Sequence, residues 1–119
     1  AQGRPRLPHW RKTARKGLNM LLSLFPNINK GIEEFRRVPS AALVDVRERD
    51  EFSAGHIPGA VNAPLSHIQT ITLPKDTPLF LYCLRGTRSR RAVGILKRMG
   101  YGQVKSIGGI VSYKGQLER

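Results

Sequence analysis

The sequence predicts an α/β fold in which a mostly parallel sheet carries helices on both faces. Short apolar runs recur without polar alternation, as strands covered on both faces require. Stretches of helical spacing separate these runs, and turns rich in Gly and Pro punctuate the joins. With 119 residues and 39% hydrophobic content, the chain has room for one domain around a single core.

The elements follow in order. Residues 1–16 contain Gly3, Pro5, Pro8 and the cations Arg4, Arg6, Arg11, Lys12, Arg15 and Lys16 with no acid, which reads as a basic, flexible arm. Leu18, Leu21, Leu22 and Phe25 fall at helical spacing, so residues 17–27 read as a short amphipathic helix stopped by Pro26, with a linker. Its apolar face is expected to cover the core of residues 28–119, the alternative being a membrane surface or a partner. Within that domain a helix is expected over 32–38, a buried strand over 41–46, and a short helix over 50–54 capped by Asp50. A turn at 55–59 then leads to a short strand at 60–62, a strand at 79–82, a helix at 88–99 and a last strand at 104–107.

Charge narrows the function classes. The net charge of +13 comes from 21 Lys and Arg against 8 Asp and Glu. Beyond the arm, residues 83–98 hold Arg85, Arg88, Arg90, Arg91, Lys97 and Arg98, again with no acid, which implies an anionic substrate there. The chain has one cysteine, so no internal disulfide forms, and His9, His56 and His67 lack the close spacing of a zinc site. The expectation is no metal, no cofactor and a reducing compartment. The apolar run at 20–25 is too short to cross a bilayer, so no membrane span and a cytoplasmic location are expected.

Cys83 ends the apolar run Leu79-Phe80-Leu81-Tyr82 and is followed by Leu84-Arg85-Gly86-Thr87-Arg88-Ser89 at the mouth of a helix. In open parallel sheets, ligands bind at the carboxyl ends of strands. Gly86 lets the backbone curl so that free amides of the helix start converge on the sulfur, and both these dipoles and the nearby guanidiniums favour a thiolate. A buried structural cysteine is the competing reading. The density of positive charge and free amides around this one favours a nucleophile.

Segments from four parts of the chain, in order, then carry a resemblance. They are Leu43-Val44-Asp45-Val46-Arg47-Glu48, the stretch from Glu51 to Asn62 with Gly55-His56-Ile57-Pro58-Gly59 at its centre, the loop from Tyr82 to Ser89, and Gly100-Tyr101 with Gly108-Gly109-Ile110. Over roughly residues 28–117 the chain resembles a single-domain rhodanese, a sulfurtransferase. The resemblance implies a rhodanese-like fold with a five-stranded sheet. It also implies a two-step transfer, in which Cys83 takes the outer sulfur of a donor such as thiosulfate and passes it, as a persulfide, to cyanide or a thiol. Amides of residues 84–88 (Leu84, Arg85, Gly86, Thr87 and Arg88) would hold the persulfide, and Arg85 and Arg88 are candidates to meet the donor's oxyanion. Arg88 has a second reading, pairing with an acid, and Thr87 caps the helix or donates to the sulfur. Asp45 and Arg47 are supporting residues, Asp45 bracing backbone amides and Arg47 pairing with Glu51. His56 belongs to a turn and is not expected to act as a base.

Three rivals are set against this reading. Related phosphatase loops place one more residue between Cys and Arg, making a cup wide enough for phosphate, whereas four residues separate Cys83 from Arg88 here. Rhodanese-like binding or regulatory modules typically lack the cysteine, which this chain keeps. The basic arm offers nonspecific nucleic-acid contact, which would bring sulfur to tRNA, yet only Trp10 is available there for base stacking. A sulfur-acceptor protein is a further possible partner, and the sequence is silent on oligomeric state.

Overall fold

The structure, a computed structural model, is described for residues 26–119; the basic arm and the helix expected at 18–25 lie outside the described residues. Four strands form one parallel sheet in the order β2-β1-β3-β4: β1 (Ala42–Asp45), β2 (Ala60–Asn62), β3 (Leu79–Cys83) and β4 (Val104–Gly109). β3 is central, and all five of its residues are buried, which explains its unbroken apolar character.

The five-stranded sheet implied by the resemblance is therefore corrected to four strands among the described residues. β4 has a strand neighbour on one side only, β3, and the remaining pairing is an isolated antiparallel bridge between His56 and Glu118.

Helices cover both faces. α1 (Ile28–Arg36) buries Ile28 and Ile32 against Leu43, Phe80, Tyr82 and Ile107. α3 (Thr87–Arg98) covers the other face, where Ala92 and Leu96 meet Val44, Leu79, Leu81 and Val104. A 3₁₀ helix, Leu65–Thr70, packs beside α3 and contributes Ile68 to the same cluster. The short helix α2 (Arg49–Ala54) follows β1. None of the helices among the described residues is long and apolar enough to cross a membrane.

Two details position the site. The β3–β4 register shifts between Leu81 and Tyr82, so Leu81 pairs with Ser106 and Tyr82 with Gly108. Up to that shift β4 alternates regularly, with Ser106 beside α3 like Val104 and Ile107 on the α1 face, and Ile107 is the extra residue that has no partner on β3. β4 then runs hard against the loop after β3: a Cβ on Gly109 would overlap the Leu84 carbonyl oxygen and the Arg85 Cα. Gly109→Ala is therefore expected to push the loop out of place and cost about 1–3 kcal/mol of stability. Thermal denaturation checks this, and an unchanged melting point would contradict it.

Candidate active site

The site is built on the end of β3. Cys83 is buried, with 1% exposure, and its sulfur faces the start of α3. Gly86 precedes α3 in the left-handed region (φ 109°), a conformation that a glycine adopts without strain, and it provides no side-chain cap. The sulfur takes the place of that cap. The Gly86 N–H donates to Sγ at 3.0 Å and the Ser89 N–H at 3.4 Å, the latter being one of the free amides of the first helical turn. Cys83 Sγ in turn lies 3.6 Å from Ser89 Oγ, to which the thiol donates.

These contacts set the ionisation of the sulfur. Burial opposes the charged form. The amide and hydroxyl of Ser89 and the amides of Gly86 and Arg85 together outweigh it, and the thiol is held below its ordinary value. Amide bonds to a charged acceptor are each worth roughly 1.5–3 kcal/mol, so two or three are enough to offset the cost of burial.

The arginines divide between two ion pairs. Arg88 forks onto Glu51, with Nη1 at 2.7 Å from Oε1 and Nη2 at 3.0 Å from Oε2, so it takes the acid-pairing role. The Arg88 hydrogen bonds hold Glu51 down at about 2. This pair thus keeps its charges throughout mild acid, and any loss of site reactivity between pH 3 and 7 reports the thiol rather than this pair. Arg47 does not pair with Glu51. It reaches back to Asp45, with Nη2 2.6 Å from Oδ2 and Nε 3.0 Å from both carboxylate oxygens, and donates to the Gly55 carbonyl at 2.7 Å. The spacing of 47 and 51 suggests a helical pair, but α2 starts only at Arg49, so Arg47 lies outside the helix and turns toward the strand end.

Asp45 and Arg47 brace the strand end. Asp45 Oδ1 also accepts the Arg47 N–H at 2.9 Å, and Asn62 Nδ2 donates to the carbonyls of Asp45 and Arg47. Both residues are almost fully buried, and neither has a hydrogen bond to the sulfur. Thr87 is the first residue of α3 and makes neither the cap nor a bond to Sγ; Leu84 instead anchors the loop by accepting the Val111 N–H at 3.2 Å. His56 stacks on Phe52 and bonds the Phe52 carbonyl within its turn.

A cavity of about 430 Å³ opens beside the loop, lined in part by Arg85, Gly86, Arg90, Ser106 and Lys114, with no acidic residue in its wall. Sequence reasoning missed Ser89 and Ser106. Ser89 is wholly buried, and its hydroxyl touches Ser106 Oγ at 2.7 Å and the Gly86 carbonyl at 3.0 Å. The signal for Ser89 was available, since a helix's third residue carries a free N–H aimed at whatever caps the helix.

The comparisons with known proteins agree with this fold. The family model of the rhodanese-like domain matches residues 28–116. The chain is 39% identical over 90 residues to uncharacterized protein YqhL of Bacillus subtilis, covering 72% of this chain and 71% of that protein. It is 34% identical over 80 residues to thiosulfate sulfurtransferase GlpE of Tolumonas auensis, covering 61% and 71%. It also matches adenylyltransferase and sulfurtransferase uba4 of Ogataea parapolymorpha at 34% identity over 91 residues, but spans only 23% of that longer protein. Among solved structures, SSP1007 of Staphylococcus saprophyticus superposes with TM-score 0.68 at 26% identity, covering 78% of this chain and 96% of that one. On these grounds, with its sheet, helices and cysteine loop as described, the chain belongs to the rhodanese-like domain family.

Proposed function

We propose that the protein is a sulfurtransferase that moves a sulfane sulfur through a Cys83 persulfide. The observation that carries this reading is the convergence of the Gly86 and Ser89 N–H groups on a buried sulfur whose thiol is held low. In the first step the Cys83 thiolate attacks the outer sulfur of thiosulfate. A new S–S bond forms at Cys83, the donor's S–S bond breaks, and sulfite leaves with the electron pair. In the second step cyanide or a thiolate attacks the outer sulfur of the persulfide, and Cys83 leaves as thiolate. No proton is consumed by either step with thiosulfate and cyanide, so a cradle that favours the anion needs no base.

The roles of the neighbours follow from their positions. The amides of Gly86 and Ser89 hold the anionic sulfur; Arg85, in the wall of the basic cavity, draws in the anionic donor. Arg88, neutralised by Glu51, shapes the loop more than it attracts charge. A family relative is named thiosulfate sulfurtransferase, which supports the choice of donor. The uba4 relative, in which a segment like this chain is a part of a larger protein, favours a second reading as a sulfur carrier to a protein partner through the same persulfide.

Thiocyanate formation from thiosulfate and cyanide is the test, run beside hydrolysis of a generic aryl phosphate. Sulfur transfer is expected and phosphatase turnover is expected to be negligible, because the four-residue loop is too tight for phosphate. Faster phosphate than thiosulfate turnover would overturn the reading. The rate of sulfur loading should fall roughly tenfold per pH unit below the thiol's midpoint, which should lie below that of an ordinary cysteine.

A further inference from the structure

The sulfur is enclosed, and among the hydrogen bonds of the described residues the only side chain meeting it is Ser89. Ser89 is itself wholly buried and cannot be hydrated. Its single proton goes to the Gly86 carbonyl at 3.0 Å, so its oxygen accepts from two sides: the Cys83 thiol at 3.6 Å, and Ser106 Oγ at 2.7 Å. This is the pattern of a neutral thiol.

When the sulfur loses its proton, the Ser89 oxygen loses one donor and the sulfur becomes the stronger acceptor. The Ser89 O–H can then turn from Gly86 to the sulfur. Gly86 is not left unpaired by this turn, since its carbonyl also accepts the Arg90 N–H at 3.1 Å. Ser106, from β4, holds the other side of the Ser89 oxygen throughout, and a hydroxyl that accepts a hydrogen bond is a better donor. Strand alternation aims Ser106 at Ser89, since Val104 and Ser106 pair with Leu79 and Leu81 and share their face toward α3, and Ser106 also lines the cavity.

We propose that Ser106 is a positioning residue that acts on Cys83 through Ser89, donating to the Ser89 oxygen so that the Ser89 proton turns to the ionised sulfur. The inference rests on Cys83 being the nucleophile, but it concerns ionisation before any donor arrives. The charged groups around this chain of hydroxyls are Arg88 with its partner Glu51 on the α3 and α2 side, and Arg85, Arg90 and Lys114 around the cavity. From β1 and the segment after it come Asp45 and Arg47, which neutralise each other. None of these groups contacts Ser106 by a hydrogen bond, so its removal leaves their pairs in place.

The experiment measures the rate of Cys83 alkylation by iodoacetamide against pH, with no sulfur donor present, so the result stands apart from the test of sulfur transfer. Ser106→Ala is expected to raise the midpoint by about 0.3–0.5 pH unit, two- to threefold less thiolate at a fixed pH below it. Ser106→Thr, which keeps the hydroxyl, should match the wild type, and Ser106→Val, the same shape without it, should match Ser106→Ala. Ser89→Ala should shift the midpoint further, and adding Ser106→Ala to it should change nothing more. The proposal is overturned if Thr and Val behave alike, if Ser106→Ala leaves the midpoint in place, or if its effect persists undiminished in the Ser89→Ala background.

Discussion

Cys83→Ser is expected to abolish thiocyanate formation from thiosulfate and cyanide, a loss on the order of a thousandfold or more, while the protein stays folded. The hydroxyl of serine fits the space of the thiol and still accepts the Gly86 and Ser89 N–H groups that cap α3. It cannot become a persulfide. The melting point should therefore fall by no more than roughly 4–8 °C, the change that about 1 kcal/mol makes in a domain of this size. Turnover near the wild-type rate in this variant would remove Cys83 from the chemistry altogether.

Asp45→Ala is expected to be the most destabilising of the single changes considered, at about 3–5 kcal/mol. Asp45 is 0% and Arg47 5% exposed, and the carboxylate takes three hydrogen bonds from the guanidinium. Removing the acid leaves a buried cation whose remaining hydrogen bond is to the Gly55 carbonyl. Against a total stability of roughly 5–15 kcal/mol, that loss is large. Urea denaturation measures it. The double variant Asp45→Ala with Arg47→Met should recover part of the stability, because no charge then remains in the buried site. A loss under about 1 kcal/mol for Asp45→Ala would show that Arg47 finds water or another partner.

Much of this fold is written locally in the chain, and the exceptions have physical causes. β3 was legible because five consecutive residues are buried on both faces, which leaves no polar position to blur the run. The apolar spacing predicts a start for α1 at Ile32, four residues after its actual start at Ile28. Asn29 and Gly31 are poor helix formers, and the cap that begins the helix is Asn27, whose Oδ1 accepts the Asn29 N–H at 3.0 Å. The pattern predicts Asp50 as the cap of α2; the N-cap is Glu48, whose N–H donates to Glu51 Oε1 at 3.0 Å, while Asp50 Oδ1 accepts the Glu51 N–H at 2.9 Å inside the first turn. The 3₁₀ helix at Leu65–Thr70 was not anticipated, since so short an element repeats no apolar period.

The site divides in the same way. The position of Cys83 at a strand end before a helix follows from local pattern, and so does the left-handed turn at Gly86. Pairings across the fold do not. Arg88 meets Glu51 across 37 residues, and Ser89 meets Ser106 across 17, with the pairing of Ser106 beside Leu81 turning it to the α3 face. Such contacts depend on how strands align, and nothing in the spacing of either segment records it.

The central claim is that the cradle around Cys83 holds a transferable sulfur. Intact-protein mass spectrometry tests it most directly, on wild-type protein incubated with thiosulfate, desalted, and then treated with cyanide. The account predicts a gain of one sulfur atom that peptide mapping places on Cys83, and its complete loss to cyanide with release of thiocyanate. A protein that keeps its original mass in thiosulfate, or gains sulfur that cyanide does not remove, would contradict it.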